Sequence, residues 1–91
     1  MSTIERRVTI CNTRGLHARA AAKFVETAMG FDATIHVTRD GETVNADSIM
    51  ELLMLAASKG SEIEIATEGD EAEPAANALV ELVEAGFYET D

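Results

Sequence analysis

Along residues 4–11 apolar and polar positions alternate, with Ile4, Val8 and Ile10 on one side and Glu5, Arg7 and Thr9 on the other. A period of two is that of a strand with one buried face. From Ala18 to Met29 the pattern changes to a helical one, with Ala21, Phe24, Val25 and Ala28 on a single stripe and Gly30 as the stop residue just past the end. Alternation returns over 33–39, where Ile35 and Val37 point inward against Thr34, His36 and Thr38. Asp40-Gly41 is a hairpin signal, which makes 43–46 the returning strand. Asp47 or Ser48 then caps a second helix, predicted over 48–58 and closed by Gly60. Glu62–Glu68 alternates again with Ile63 and Ile65 inward. A third helix follows Gly69-Asp70 and runs to about Ala85, with Pro74 in its first turn and Ala75, Ala76, Leu79, Leu82 and Val83 as its buried stripe.

The resulting order is β-α-β-β-α-β-α. Because the outward strand positions are polar, one sheet face should be wet and the other covered by helices. The expected fold is α+β, an open-faced two-layer β-sandwich, with a mostly antiparallel four-stranded sheet and three helices on one face. Ninety-one residues, 46% of them hydrophobic, suit one domain spanning 1–91.

The net charge is −10, and its distribution is uneven. Residues 1–31 carry Arg6, Arg7, Arg14, Arg19 and Lys23 against Glu5 and Glu26, a balance of +3, whereas 32–91 balance at −13. An acidic surface disfavours nucleic-acid binding, which needs a basic footprint. One cysteine, Cys11, forms no internal disulfide, and no Cys/His spacing suggests a metal site. No signal peptide or membrane-spanning stretch is apparent, so a cytoplasmic protein with no membrane association is expected.

Two places carry candidate chemistry. His17 sits where the loop Thr13-Arg14-Gly15-Leu16 becomes the first helix. The first turn of a helix offers unpaired N–H groups and the positive end of the macrodipole, an anion site. A neutral imidazole nitrogen there is a nucleophile, Arg19 brings a guanidinium fork suited to phosphate, and Arg14 and Lys23 add charge. By position alone His17 reads first as an ordinary cap and only second as a reactive group. The second place is the helix beginning at Ser48, which has more apolar surface than a core contact uses. Ile49, Leu52, Leu53 and Ala56 satisfy the core, leaving Met50, Met54 and Ala57 in surplus as a docking face or as a deeper-buried helix. Ser48 itself is at least a capping hydroxyl.

Gly15-Leu16-His17-Ala18-Arg19-Ala20-Ala21 resembles the G-L-H-x-R-P-A signature of HPr, the histidine phosphocarrier family of the phosphoenolpyruvate-dependent phosphotransferase system. Ser48-Ile49-Met50-Glu51-Leu52 resembles that family's serine-headed second helix, and the likeness spans nearly the whole chain. The resemblance implies a phosphoryl-transfer intermediate rather than a free-standing enzyme, without cofactor or metal. His17 would accept phosphate on Nδ1 from phosphorylated enzyme I and pass it to an EIIA-type acceptor, in a sugar or a nitrogen-regulatory branch, and Arg19 would stabilise it. Ser48 would be a regulatory phosphorylation position, served in some bacteria by an HPr kinase/phosphorylase. Partners would dock transiently on Leu16, Ala20, Ile49, Met50, Leu53 and Met54, and the protein would be a monomer. Ala20 departs from the family's usual proline and restores one N–H donor.

Two rivals come from other classes. Asp47-Ser48-Ile49 also resembles the pantetheine site of acyl carrier proteins, with phosphopantetheine on Ser48. Those are helical bundles, in which the alternating runs at Val8–Ile10, Ile35–Val37 and Ile63–Ile65 have no place. A non-catalytic regulatory module that binds partners without carrying phosphate is the other.

Overall fold

The computed structural model describes residues 3–89. Its elements are β1 (Ile4–Thr9), α1 (Ala18–Met29), β2 (Thr34–Arg39), β3 (Glu42–Asn45), α2 (Ile49–Met54), β4 (Glu62–Glu68) and α3 (Ala72–Glu84), followed by a 3₁₀ turn at Gly86–Tyr88. The sheet is antiparallel throughout, in the order β1-β4-β2-β3. The expected α+β sandwich is therefore present, with β4, the most regular alternation in the chain, in an interior position.

Register explains the core. Val8 faces Ile63; Arg6, Ile65, Val37 and Val44 form one continuous row, and Ile4, Thr67 and Ile35 another. These side chains lie under the helices, where Phe24, Leu52, Leu79, Val83 and Phe87 meet them with essentially no exposure. Thr67, the buried hydroxyl in this layer, donates to the Ala72 carbonyl at 2.7 Å, which removes the cost of burying it. Arg6 occupies an inward, half-buried position on the edge strand β1. An inward charge at an edge blunts further strand pairing. The opposite face is polar: Arg7 pairs with Glu64 at 3.6 Å, and the Thr38 and Thr43 hydroxyls meet at 2.7 Å.

The β2–β3 hairpin turns on Asp40 and Gly41, with φ of 51° and 81°. Two positive φ values define the type I′ turn that matches strand twist. This tight turn sets Arg39 opposite Glu42, so β3 begins one residue before the expected 43–46. β1 ends as a regular strand at Thr9 rather than at Cys11, although Ile10 still exchanges backbone bonds of 2.8 Å with Ser61 and Gly60. α1 matches its expected range. Its terminal Gly30 has φ −79°, however, so the helix stops there without using a left-handed residue.

The largest correction concerns α2, which has six residues instead of the eleven expected over 48–58. It ends because Ala56 leaves the helical region and the Leu55 and Ala56 N–H groups bond three residues back, to the Leu52 and Leu53 carbonyls at 3.1 Å. Distant groups hold the segment that follows. The Leu55 carbonyl accepts from Arg39 Nη1 at 3.1 Å, the Ala57 carbonyl accepts from the Leu16 N–H at 2.8 Å, and Ala56 between them has φ 50°. Three burial expectations consequently reverse: Ala57 is a core residue, whereas Ile49 and Ala56 are exposed, and Leu55 is buried beside them. Ala57 is thus no part of a surplus apolar face. Among the described residues no helix is long and apolar enough to cross a membrane.

Candidate functional site

The loop between β1 and α1 is built around Gly15, whose φ is 69°. A Cβ at this position would lie 2.7 Å from the Ala57 carbonyl oxygen and 2.9 Å from Ser58 Cα, so both the angle and the space require glycine. Asn12 closes the loop from inside: its Nδ2 donates to the Gly15 carbonyl at 2.8 Å, and the Gly15 N–H donates to the Asn12 carbonyl at 3.1 Å. The Leu16 N–H bond to Ala57 then ties the loop to the segment leaving α2. Leu16 and Ala20 turn inward and are buried. Their side chains support the loop and α1 from beneath, which corrects their placement on a docking surface.

His17 is the N-cap residue of α1, in extended backbone with φ −82° and ψ −179°, and its side chain makes no capping bond. The first helical N–H used within the chain is that of Ala21, which donates to the His17 carbonyl at 2.8 Å. The N–H groups of Ala18, Arg19 and Ala20 therefore have no partner inside the helix and project at its start. Arg14 and Arg19 are exposed and, among the described residues, enter no ion pair. This combination fits an exchangeable anion: donors and cations face outward beside an imidazole, without a carboxylate fixed on the arginines.

Lys23 does not belong to that set. Its Nζ donates to the Phe87 carbonyl at 2.7 Å and holds the turn that follows α3. Beyond α3 the chain turns through Gly86, Phe87 and Tyr88 with φ of 63°, 57° and 59°, and Phe87 is fully buried. This turn delivers Glu89 to the site. His17 Nε2 is hydrogen-bonded to Glu89 Oε2, and Asn12 Nδ2 donates to Glu89 Oε1 at 2.9 Å. The His17 and Glu89 side chains are 19% and 10% exposed, so the pair is mostly covered while one edge stays reachable. Neither Asn12 nor Glu89 was anticipated as part of the site. Gly86 followed by Phe87 was the available sign, a helix stop followed by an apolar anchor.

Ser48 is the N-cap of α2, and its Oγ accepts from the Glu51 N–H at 3.2 Å. Glu51 Oε1 accepts in turn from the Asn45 N–H at 3.2 Å. Beyond this cap Met50 and Met54 are 71% and 67% exposed and Ile49 39%, while Leu53 is half-buried. The apolar surface expected on this helix therefore exists, carried mainly by the two methionines one turn apart. Among the described residues no cluster of three His, Cys, Asp or Glu side chains could hold a metal ion.

Residues 4–85 match the protein family described as the PTS HPr component phosphorylation site. The chain belongs to the HPr family. The phosphocarrier protein HPr of Pseudomonas aeruginosa is 48% identical over 83 residues, covering 90% of this chain and 92% of that protein. The phosphocarrier protein NPr of Shewanella violacea is 43% identical over 89 residues, covering 98% of each. Among solved structures, HPr-C-His from Thermoanaerobacter tengcongensis superposes with a TM-score of 0.92 at 44% identity, covering 97% of this chain and 99% of that one. Membership of the HPr/NPr phosphocarriers carries with it a place in the phosphotransferase system and partners of that system, such as enzyme I and EIIA. It also removes the acyl-carrier alternative, since the sheet is that of the HPr fold.

Proposed function

We propose that His17 is the residue of this HPr-family chain that carries the phosphoryl group. Its Nδ1 takes the group from phosphorylated enzyme I and yields it to an EIIA-type acceptor. The observation that carries this reading is the unspent start of α1: an N-cap imidazole that caps nothing, followed by first-turn N–H groups without helical partners. Those N–H groups and the Arg19 guanidinium hold the phosphate oxygens, acting where charge is delivered rather than through a preformed pocket. Ala20 contributes a third N–H that proline would lack.

Met50, Met54 and Ile49, with the half-buried edge of Leu53, form the apolar centre on which partners dock, and basic residues at the loop rim draw acidic partners in. Ser48 lies at the entry to this surface. A phosphate added there by an HPr kinase/phosphorylase places negative charge against the docking face and weakens partner binding. The protein works as one domain over 1–91, as a cytoplasmic monomer that meets each partner transiently.

Incubation with enzyme I and labelled phosphoenolpyruvate tests the assignment. The expected product carries one acid-labile, alkali-stable phosphate, which His17→Ala lacks. Uptake of the same phosphate by His17→Ala, or no uptake by the unaltered chain with a cognate enzyme I, overturns it.

A further inference from the structure

The turn at Gly86–Tyr88 uses left-handed backbone at three successive positions, two of them occupied by Phe87 and Tyr88. Such conformations are disfavoured for residues with a Cβ and persist where surrounding contacts enforce them. Here the contacts are evident: Phe87 is sealed in the core, Lys23 Nζ holds its carbonyl at 2.7 Å, and the Tyr88 and Glu89 N–H groups bond back to Ala85 and Gly86 at 3.1 Å. The result of this arrangement is the position of one carboxylate. Glu89 reaches across 72 residues of sequence to His17 Nε2 with Oε2, while its Oε1 is held by Asn12. Asn12 also grips the Gly15 carbonyl, so a single amide joins the loop, the histidine's partner and the tail.

We infer that Glu89 is a positioning residue for the phosphoryl acceptor. A carboxylate is an acceptor only, so the nitrogen facing it bears the proton. Glu89 thereby keeps the proton of His17 on Nε2, fixes the ring, and leaves the lone pair on Nδ1. This inference rests on the proposed role of His17. In the transfer step the Nδ1 lone pair forms the new N–P bond, and the electron pair of the donor–phosphorus bond leaves with the donor. Positive charge then develops on the ring and is balanced by Glu89, towards which the Nε2 proton is drawn. Onward transfer reverses these movements: the N–P bond breaks, its electron pair returns to Nδ1, and the proton settles back on Nε2. The division of labour is spatial. Arginines and helix amides serve the Nδ1 side, and the tail carboxylate serves the Nε2 side.

Two measurements on the full chain test this with Glu89→Ala and Glu89→Gln. Imidazole ¹⁵N shifts recorded at about pH 9, above the ordinary imidazole range, report the tautomer of His17 without any partner protein. The unaltered chain should show the Nε2–H form, and Glu89→Ala should show a raised share of Nδ1–H. Steady-state phosphorylation by enzyme I reports the consequence: Glu89→Ala should lower kcat by about tenfold, the lower end of what an oriented histidine loses with its partner, with KM for phosphorylated enzyme I unchanged. Glu89→Gln, which retains an acceptor oxygen but no charge, should fall between the two. A purely structural tail would instead give unchanged tautomer populations and an unchanged kcat in Glu89→Ala, and that result overturns the inference. An Nδ1–H tautomer in the unaltered chain overturns it as well. Absence of any phosphoryl uptake by the unaltered chain defeats the transfer reading of His17 alone, because the tautomer measurement stands without enzyme I.

Discussion

Two helices of this protein begin with an N-cap residue in extended backbone, and the two caps do opposite things with their side chains. Ser48 accepts the Glu51 N–H and so is spent on its own helix. His17 makes no such bond, leaves the first N–H groups of α1 without partners in the helix, and binds instead to a carboxylate from the far end of the chain. A satisfied cap stabilises, typically by about 1 kcal/mol. An unsatisfied one stores an anion site at the expense of local stability. The same position in two helices thus divides structure from chemistry. On the proposed role of His17, an incoming phosphoryl group would supply the missing capping oxygens.

Exchanging the nature of the caps breaks this comparison most severely. His17→Asn gives α1 a good capping side chain, which should raise stability by about 0.5–1 kcal/mol. Phosphoryl uptake should fall by at least about 10³-fold, because no nucleophilic nitrogen remains. A urea melt alongside the enzyme I assay reads both. A variant that is less stable and still phosphorylated would contradict the reading of both caps.

Gly15→Ala probes how the His17 cap is held. The new Cβ meets the Ala57 carbonyl oxygen at 2.7 Å in a left-handed conformation, and neither backbone can yield freely. A loss of about 3 kcal/mol in denaturant-derived stability is expected, the sum of a strained φ and a steric clash. The equivalent change at Gly41, where no atom lies within 4 Å, carries only the cost of the left-handed angle and should cost about 1 kcal/mol. Equal losses at the two glycines would show that the Gly15–Ala57 contact is unimportant.

How much of this was readable along the chain follows from how far each interaction reaches. Strands betray themselves by local alternation, so β4 was read residue for residue and β1 to within two positions. The Asp-Gly turn has its own local chemistry, and Arg39 and Glu42 follow from it. His17 stood out because a loop, a helix start and Arg19 lie within a few residues of one another. α2 was misread because its end is fixed by groups distant in sequence: Arg39 and Leu16 hold the Leu55 and Ala57 carbonyls on either side of Ala56, whose φ of 50° leaves the helix. Nothing local distinguishes Leu55, which is buried, from Ala56, which is not. Glu89 was invisible for the same reason in stronger form, since it joins His17 only through a turn set by the burial of Phe87. Lys23, counted with the basic corner, proved to be a tether for that turn.

Met50 and Met54 sharpen the comparison from the side of recognition. Both are largely exposed, so replacing them removes little core contact. Met50→Asp and Met54→Asp should each raise KM for phosphorylated enzyme I by about tenfold through desolvation of a charge at an apolar contact, with melting temperature nearly unchanged. Because the first-turn amides of α1 are untouched, kcat should hold. A fall in kcat at constant KM would place these methionines in the chemistry of His17 rather than in docking.

The smallest expected effect separates the capping by Ser48 from its proposed regulatory role. Ser48→Ala removes the acceptor of the Glu51 N–H, and a six-residue helix has few other bonds with which to compensate. The loss should be about 1 kcal/mol, moderated because Glu51 keeps its bond to Asn45 and Arg39 still holds the opposite end of α2. Phosphorylation by enzyme I should stay within about twofold of the unaltered chain, since the hydroxyl itself touches neither His17 nor the methionines' exposed ends. Ser48→Asp separates capping from charge: aspartate caps as well as serine, so stability returns, while its negative charge beside Met50 should raise KM for enzyme I above that of Ser48→Ala. If both variants instead share one KM, charge at this cap is not sensed by the docking surface, and Ser48 serves its helix alone.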